Sequence, residues 1–368
     1  MPYVKISPPT GPLNVFYSIS TPRNHDAESV IPDVPTILFL HPLYIPQQIF
    51  YPQFADHDLR QFNLVALDLR SHGETEGVIG EAVYNPAEDV FHFMATLKLL
   101  PCHIFAISIG CSIAMDLAST HPDRVLSLTL CSPQSPTESE EISAARAEIH
   151  EDFLQASGRS DPTEISSEYS TLEERLTVVG DYTQYRAGLM AGLKNVTFNN
   201  EMDDLALALL ESAAVQAQEH WIGSEERIQE GVRAAISWPL HRKALTASQL
   251  SKITSPVSIF YFTEDILYPV DDAEALADRL ARSGLEVTLH LVSGGPHYGS
   301  ISKAEFINPV VREFILSCYD DVDDLPCIPF TAESDGIRMK TPFDMILEKY
   351  DYQPPEAAEI QVLQFARS

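Results

Sequence analysis

The chain has 368 residues, 45% of them hydrophobic and 21% charged, a globular composition long enough for one large domain with an insertion or for two domains. Its 53 acidic and 24 basic side chains give a formal charge of −29, which opposes nucleic acid and anionic lipid and describes a solvated acidic surface. No apolar run approaches the ~20 residues that span a bilayer, and the opening MPYVKISPPTG lacks the basic start and apolar core of a secretory signal; a cytoplasmic protein without a membrane span is expected.

The first elements alternate like a hairpin, Tyr3 to Ile6 and Leu13 to Ser20 about a Pro-Pro-Thr-Gly turn. Short apolar runs then alternate with helical patterns: 36–40 ending at His41, 63–67 at Asp68, 103–107 at Ser108, 125–130 at Cys131, 257–262 near Asp265 and 287–292 near Gly294. Such runs are what strands buried on both faces look like, and their alternation with helices predicts an α/β fold with a mainly parallel sheet. The carboxyl ends of parallel strands share one edge, so polar residues placed just after them converge there.

Between Pro133 and Pro256 the texture becomes rich in Ala, Glu and Leu, with no convincing strand. Ile142, Ala145, Ile149 and Phe153 recur at helical spacing with Gly158 as a C-cap, and 202–218 and 225–237 also read as helices. Asn308-Pro309 reads as a cap followed by proline at the first helical position, opening a helix to about Cys318. The expected organisation is a core of residues 1–136 and 251–318, a helical insertion of 137–250, and an acidic extension of 319–368 with some helix near 342–350.

Cys102, Cys111, Cys131, Cys318 and Cys327 are odd in number and show no CxxC spacing, as buried free thiols in a reducing compartment do. Scattered histidines and the lack of an HExxH pattern predict no metal site, and no Gly-rich phosphate or dinucleotide loop calls for a cofactor.

Ala106-Ile107-Ser108-Ile109-Gly110 follows a predicted strand and opens a predicted helix. A sharp strand-to-helix turn needs small side chains two residues either side of its serine, and it pushes the hydroxyl clear of the sheet. With this segment, LFLHP (38–42), ALDLRSHGET (66–75), SPVSIFYFTEDILYP (255–269) and SGGPHYGS (293–300) occur in the order and spacing of the α/β-hydrolase family, and the chain resembles its lipase/esterase-like members with a helical cap. The likeness runs to about Cys318, weakly across 137–250. Pro42, Ser71 and Phe262 stand where the family usually has glycine.

The resemblance implies a Ser108 nucleophile, a His297 base and an Asp265 acid, with Glu264 as the alternative acid, and backbone N–H groups of Leu43 and Ile109 at the oxyanion. His41 and His72 lie in motif loops and are expected to shape the site; His103 and His290 lie in strands and read as structural; Asp68 and Arg70 read as a structural ion pair or turn. The implied activity is hydrolysis of a small ester, lactone or related acyl compound. C–C bond hydrolysis, thioester hydrolysis and acyl transfer on the same residues are the alternatives, as is a binding protein with a silent site.

Overall fold

The computed structural model describes residues 2–80, 84–144, 182–200, 202–222, 224–321 and 338–354, together with 325, 326, 328 and 331; side chains are described from residue 190 onward in the helix that begins at Tyr182. The stripe from Ala145 to Phe153 and the cap at Gly158 lie outside them.

Eight strands form one sheet: β1 (Tyr3–Ile6), β2 (Leu13–Ser20), β3 (Thr36–Leu40), β4 (Asn63–Leu67), β5 (Cys102–Ile107), β6 (Val125–Cys131), β7 (Val257–Phe262) and β8 (Val287–Val292). Their spatial order is β1-β2-β4-β3-β5-β6-β7-β8. The β1–β2 and β2–β4 pairs are antiparallel and the remaining pairs are parallel. Apart from Leu126, residues of β3 through β7 are buried on both faces, which is why they read as apolar runs. β8, expected to be buried on both faces like them, is instead an edge strand, and its Leu291 is exposed.

The chain leaves β3 toward β4 on one side and later enters β5 on the other. That reversal opens a crevice at the carboxyl ends of β3 and β5, where α/β sheets bind ligands. Two helices that pack together on the sheet are α1 (Pro86–Thr96) and α2 (Ile109–Thr120); α2 starts directly after β5.

Between β6 and β7 the described residues form helices and no strand: α3 (Tyr182–Phe198), α4 (Asp204–Trp221) and α5 (Glu225–Val232), the last running on through a π-turn at Arg233–Ser237. Asp203 caps α4 by accepting the N–H of Ala206, and Ser224 caps α5 by accepting that of Arg227. After β7 come α6 (Val270–Arg282) and, beyond β8, α7 (Ala304–Leu316).

The helix read as starting at Pro309 begins five residues earlier, with Pro309 inside it. Asn308 is no cap. It is buried, with Nδ2 donating to Pro52 O at 3.4 Å and Asp56 Oδ2 at 3.1 Å, and Oδ1 accepting from Gln53 Nε2 at 3.2 Å. Partners distant in sequence use up the side chain whose capping power the local pattern implied.

The C-terminal segment 338–354 docks on the core. Met339, Phe343 and Leu347 are buried, Phe343 packs on Phe54 with ring centres 4.9 Å apart, and a short helix, α8, spans Asp344–Glu348. Arg60 is wholly buried, and its guanidinium donates to Lys340 O at 2.7 Å, Thr21 O at 2.8 Å and Phe54 O at 3.3 Å, so the segment contributes one acceptor to a core cation.

Candidate active site

The turn at Ser108 is strained and enforced. Ser108 sits at φ 53°, ψ −117°, a region sparsely populated by residues with a side chain. Its N–H donates to Cys131 O at 3.0 Å and its carbonyl accepts from Cys111 N at 2.9 Å. Two residues on, Gly110 passes so close to β3 that a Cβ would stand 2.4 Å from Leu40 O and 3.1 Å from His41 O. Only glycine fits there, while Ala106 on the strand side is accommodated in a fully buried position.

At the end of this turn, Ser108 Oγ lies 2.8 Å from His297 Nε2, and His297 Nδ1 lies 2.7 Å from Asp265 Oδ2. A carboxylate can only accept, so Nδ1 carries the proton and Nε2 is left to accept from the serine hydroxyl. Asp265 Oδ1 accepts the N–H groups of Leu267 at 2.8 Å and Tyr268 at 3.2 Å. All three groups are buried: the His297 side chain is 2% exposed and that of Asp265 1%. Glu264 lies beside Asp265 but is exposed, and its N–H donates to Gly295 O.

Leu43 follows β3 and Ile109 follows β5, so the two predicted oxyanion residues flank the crevice where the chain reverses. Ile109 is the first residue of α2, and its N–H has no carbonyl one turn back within the helix. The Pro42–Leu43 peptide is oriented by His41, whose Nδ1 donates to Pro42 O at 2.6 Å while Nε2 accepts from Leu69 N at 2.9 Å. A trans peptide holds its N–H opposite its C=O, so fixing the Pro42 carbonyl aims the Leu43 N–H. Burial and the neighbouring His72 hold His41 well below the ordinary histidine range, which keeps the accepting Nε2 unprotonated. Burial likewise brings His72 down to about 4.

Each departure from glycine has a physical accommodation. Pro42 keeps the carbonyl that His41 binds. Ser71 holds the left-handed φ of 61° and donates its hydroxyl to Glu230 of α5. Phe262 lays its ring over Gly299, where a Cβ would come within 2.3 Å.

The remaining flagged residues lie outside the relay. Arg70 pairs with Asp89 rather than Asp68, through contacts of 2.8 and 2.9 Å. Asp68 is buried and accepts from Gln47 N at 3.0 Å and Glu74 N at 2.9 Å, tying two loops together, and burial pushes its carboxyl up to about 7. His103 bridges Ser127 and Tyr319, and the ring of His290 stacks on Phe260. Among the described residues the four cysteines are free thiols, no group of three or more His, Cys, Asp or Glu gathers as metal ligands, and no helix is long and apolar enough to cross a membrane.

The site also includes residues without a motif. Glu230 accepts the N–H groups of Ile79 and Gly80 besides the Ser71 hydroxyl, and Trp221 Nε1 donates to Ser71 O at 3.1 Å. The inserted helices therefore grip the loop after β4. A cavity of about 720 Å³ lies between α2 and the end of the insertion, with Ser112, Gln134, Tyr84 and Trp238 in its wall. Gln134 Nε2 donates to Tyr268 OH at 3.1 Å, and the Tyr268 ring centre is 5.5 Å from that of His297. Arg233, Arg242, Lys243, Arg279 and Asp116 line the same cavity, with Arg242 paired to Glu138 and Arg233 to Glu230.

Residues 35–304 match the family model described as alpha/beta hydrolase fold. A homoserine O-acetyltransferase of Geobacter sulfurreducens is 36% identical over 66 residues, which is 18% of this chain and 18% of that protein. The chain spans about a fifth of the length of the curated relatives it matches. Among solved structures, an esterase from Thermogutta terrifontis superposes with a TM-score of 0.62 at 16% identity, over 86% of this chain and 99% of that one. The enol-lactonase of Burkholderia xenovorans LB400 superposes with a TM-score of 0.58 at 17% identity, over 85% and 99%. Identities this low show the shared fold.

Proposed function

Because the chain belongs to the α/β-hydrolase family, we propose that it is a serine hydrolase cleaving a carboxylic ester, lactone or related acyl compound. The observation that carries the proposal is the unbroken relay from Ser108 through His297 to Asp265, at 2.8 and 2.7 Å. His297 takes the hydroxyl proton as Ser108 attacks the acyl carbon. Asp265 stabilises the imidazolium, and the N–H groups of Leu43 and Ile109 receive the oxyanion. His297 then passes the proton to the leaving alkoxide and activates the water that releases the acid. In this reading the chain's side chains form the proton relay, its backbone N–H groups receive the oxyanion, and water is the second nucleophile.

Residues 137–250 act as a cap in this reading, held to the core loop by Glu230 and Trp221. The cavity of about 720 Å³ beside them is lined by none of Ser108, His297 and Asp265, and it meets the relay only through Gln134 and Tyr268. The buried free thiols suit a reducing, cytoplasmic setting. Acyl transfer is the second reading, favoured by the local likeness to the acetyltransferase; it shares the acyl-enzyme and differs in releasing the acyl group to an alcohol.

A screen of p-nitrophenyl esters of increasing chain length, with a lactone panel, each run with and without a small alcohol, tests both readings. Turnover to the free acid supports hydrolysis. A product that becomes chiefly the new ester at millimolar alcohol supports transfer, and no turnover of any member contradicts the proposal.

A further inference from the structure

We propose that Tyr298 is a positioning residue that fixes the oxyanion-side loop at Leu43, and that the end of helix α3 holds Tyr298 in place. This deepens the reading of Ser108 as nucleophile and rests on it.

Tyr298 follows the candidate base in sequence, yet its phenol reaches a different part of the site. Its hydroxyl donates to Leu43 O at 3.1 Å. Leu43 is thereby held on both sides, its own carbonyl by Tyr298 and by Ile45 N at 2.9 Å, the preceding one by His41 at 2.6 Å. The next residue, Tyr44, is in the left-handed region at φ 71°, so the loop is bent against its local preference and needs its anchors. Through one side chain, the segment that carries the base also fixes the segment that offers an oxyanion donor.

The insertion closes the arrangement. Tyr298 N donates to Thr197 O at 3.0 Å, in the last turn of α3. The ring of Phe198 meets that of Tyr298 edge-on, with centres 5.8 Å apart. The following residue, Asn199, donates from Nδ2 to Glu264 O at 2.6 Å, next to the candidate acid. One turn of the insertion thus touches the neighbours of both His297 and Asp265. A shift of α3 would move Tyr298, and with it the Leu43 loop.

Leu43 O keeps the Ile45 N–H when the phenol is removed, so Tyr298→Phe leaves no orphaned acceptor and should leave the fold intact. A larger effect on rate then reports position. Misplacing a catalytic group by about an ångström costs on the order of 100-fold. The test compares wild type, Tyr298→Phe, Phe198→Ala and the double variant on a p-nitrophenyl ester, with inhibition by a trifluoromethyl ketone, which forms a tetrahedral oxyanion adduct on serine. The expected result for Tyr298→Phe is a kcat lower by about 10–100-fold with KM changed less than about 2-fold, ketone affinity falling by the same factor as kcat, and a near-native urea midpoint. The double variant should lose less than the product of the single losses, because both act along one route. Wild-type kcat and ketone affinity in Tyr298→Phe overturn the positioning role. Strictly multiplicative losses overturn the link through α3. Wild-type protein that takes no fluorophosphonate at Ser108 overturns the underlying reading instead.

Discussion

Asp265 divides its two carboxylate oxygens between separate tasks: Oδ2 faces His297 Nδ1 at 2.7 Å, while Oδ1 is fixed by the N–H groups of Leu267 and Tyr268. The carboxylate is therefore pre-aimed at the imidazole by the loop after β7. Asp265→Asn keeps the volume but puts an amide opposite Nδ1 and favours the wrong imidazole tautomer. We expect kcat to fall on the order of 10⁴-fold. Glu264→Gln, on the exposed neighbour, should stay within about 3-fold of wild type because it faces solvent away from the imidazole. Steady-state kinetics on one ester checks both, and the reverse pattern reassigns the acid.

Gly110 tests the elbow itself. A methyl group at this position would meet the β3 backbone at 2.4 Å, and backbone in a central strand cannot step aside as a flexible side chain can. Gly110→Ala should destabilise by about 2–4 kcal/mol, seen as a lower urea midpoint. An unchanged midpoint would show that the close packing of α2 on β3 is not as described.

Glu230 binds the Ser71 hydroxyl and the N–H groups of Ile79 and Gly80. Removing it leaves these donors short of a partner, at a cost of about 1–3 kcal/mol. Glu230→Ala should raise hydrogen exchange in 70–80 and in α5, with β3 to β7 unaffected. If the insertion sets substrate choice, the variant also changes relative kcat/KM among esters rather than slowing all of them equally. Uniform slowing with native-like exchange would assign Glu230 no role in holding the insertion.

Acid should unfold this protein through its buried histidines. Burial lowers both His72 and His103 to about 4, against 6.5 in the unfolded chain. A lowered folded-state value means that the contribution is complete above 6.5 and is lost as pH falls toward 4. The linkage is worth about 3 kcal/mol for each of the two groups. Asp68 acts oppositely: raised to about 7 by burial, it favours the folded state at low pH and loses that contribution as pH rises through 7. With His41 shifted in the same direction as His72 and His103, the histidines dominate. Urea midpoints should fall between pH 6.5 and 4.5. Midpoints that rise over that range would contradict the buried, neutral state of these rings.

The parts of this molecule that were legible in its sequence are those whose cause is local. β3 to β7 are buried on both faces, and each leaves an apolar run in the sequence. The spacing of Ala106, Ser108 and Gly110 records a steric demand within five residues. The local rule for proline fails at Pro309 because Asn308, Gln53 and Asp56 bond across the fold. The apolar run of β8 does not reveal its place at a sheet edge, because hydrophobicity does not tell an edge from a centre. Glu230 and Asn199 lie in no motif, and Tyr298 lies in one whose pattern does not single it out. Their partners, Ser71, Glu264 and Leu43, lie 65 to 255 residues away in sequence, and only the folded insertion brings the first two pairs together.

The central claim is that Ser108 is an activated nucleophile. Its most direct test is treatment of the protein with a fluorophosphonate followed by peptide mass spectrometry, alongside Ser108→Ala. The expected result is one stoichiometric adduct on Ser108, no adduct in the variant, and a kcat lowered in that variant on the order of 10⁴–10⁶-fold. An unmodified Ser108, or labelling of the variant equal to that of wild type, would contradict it.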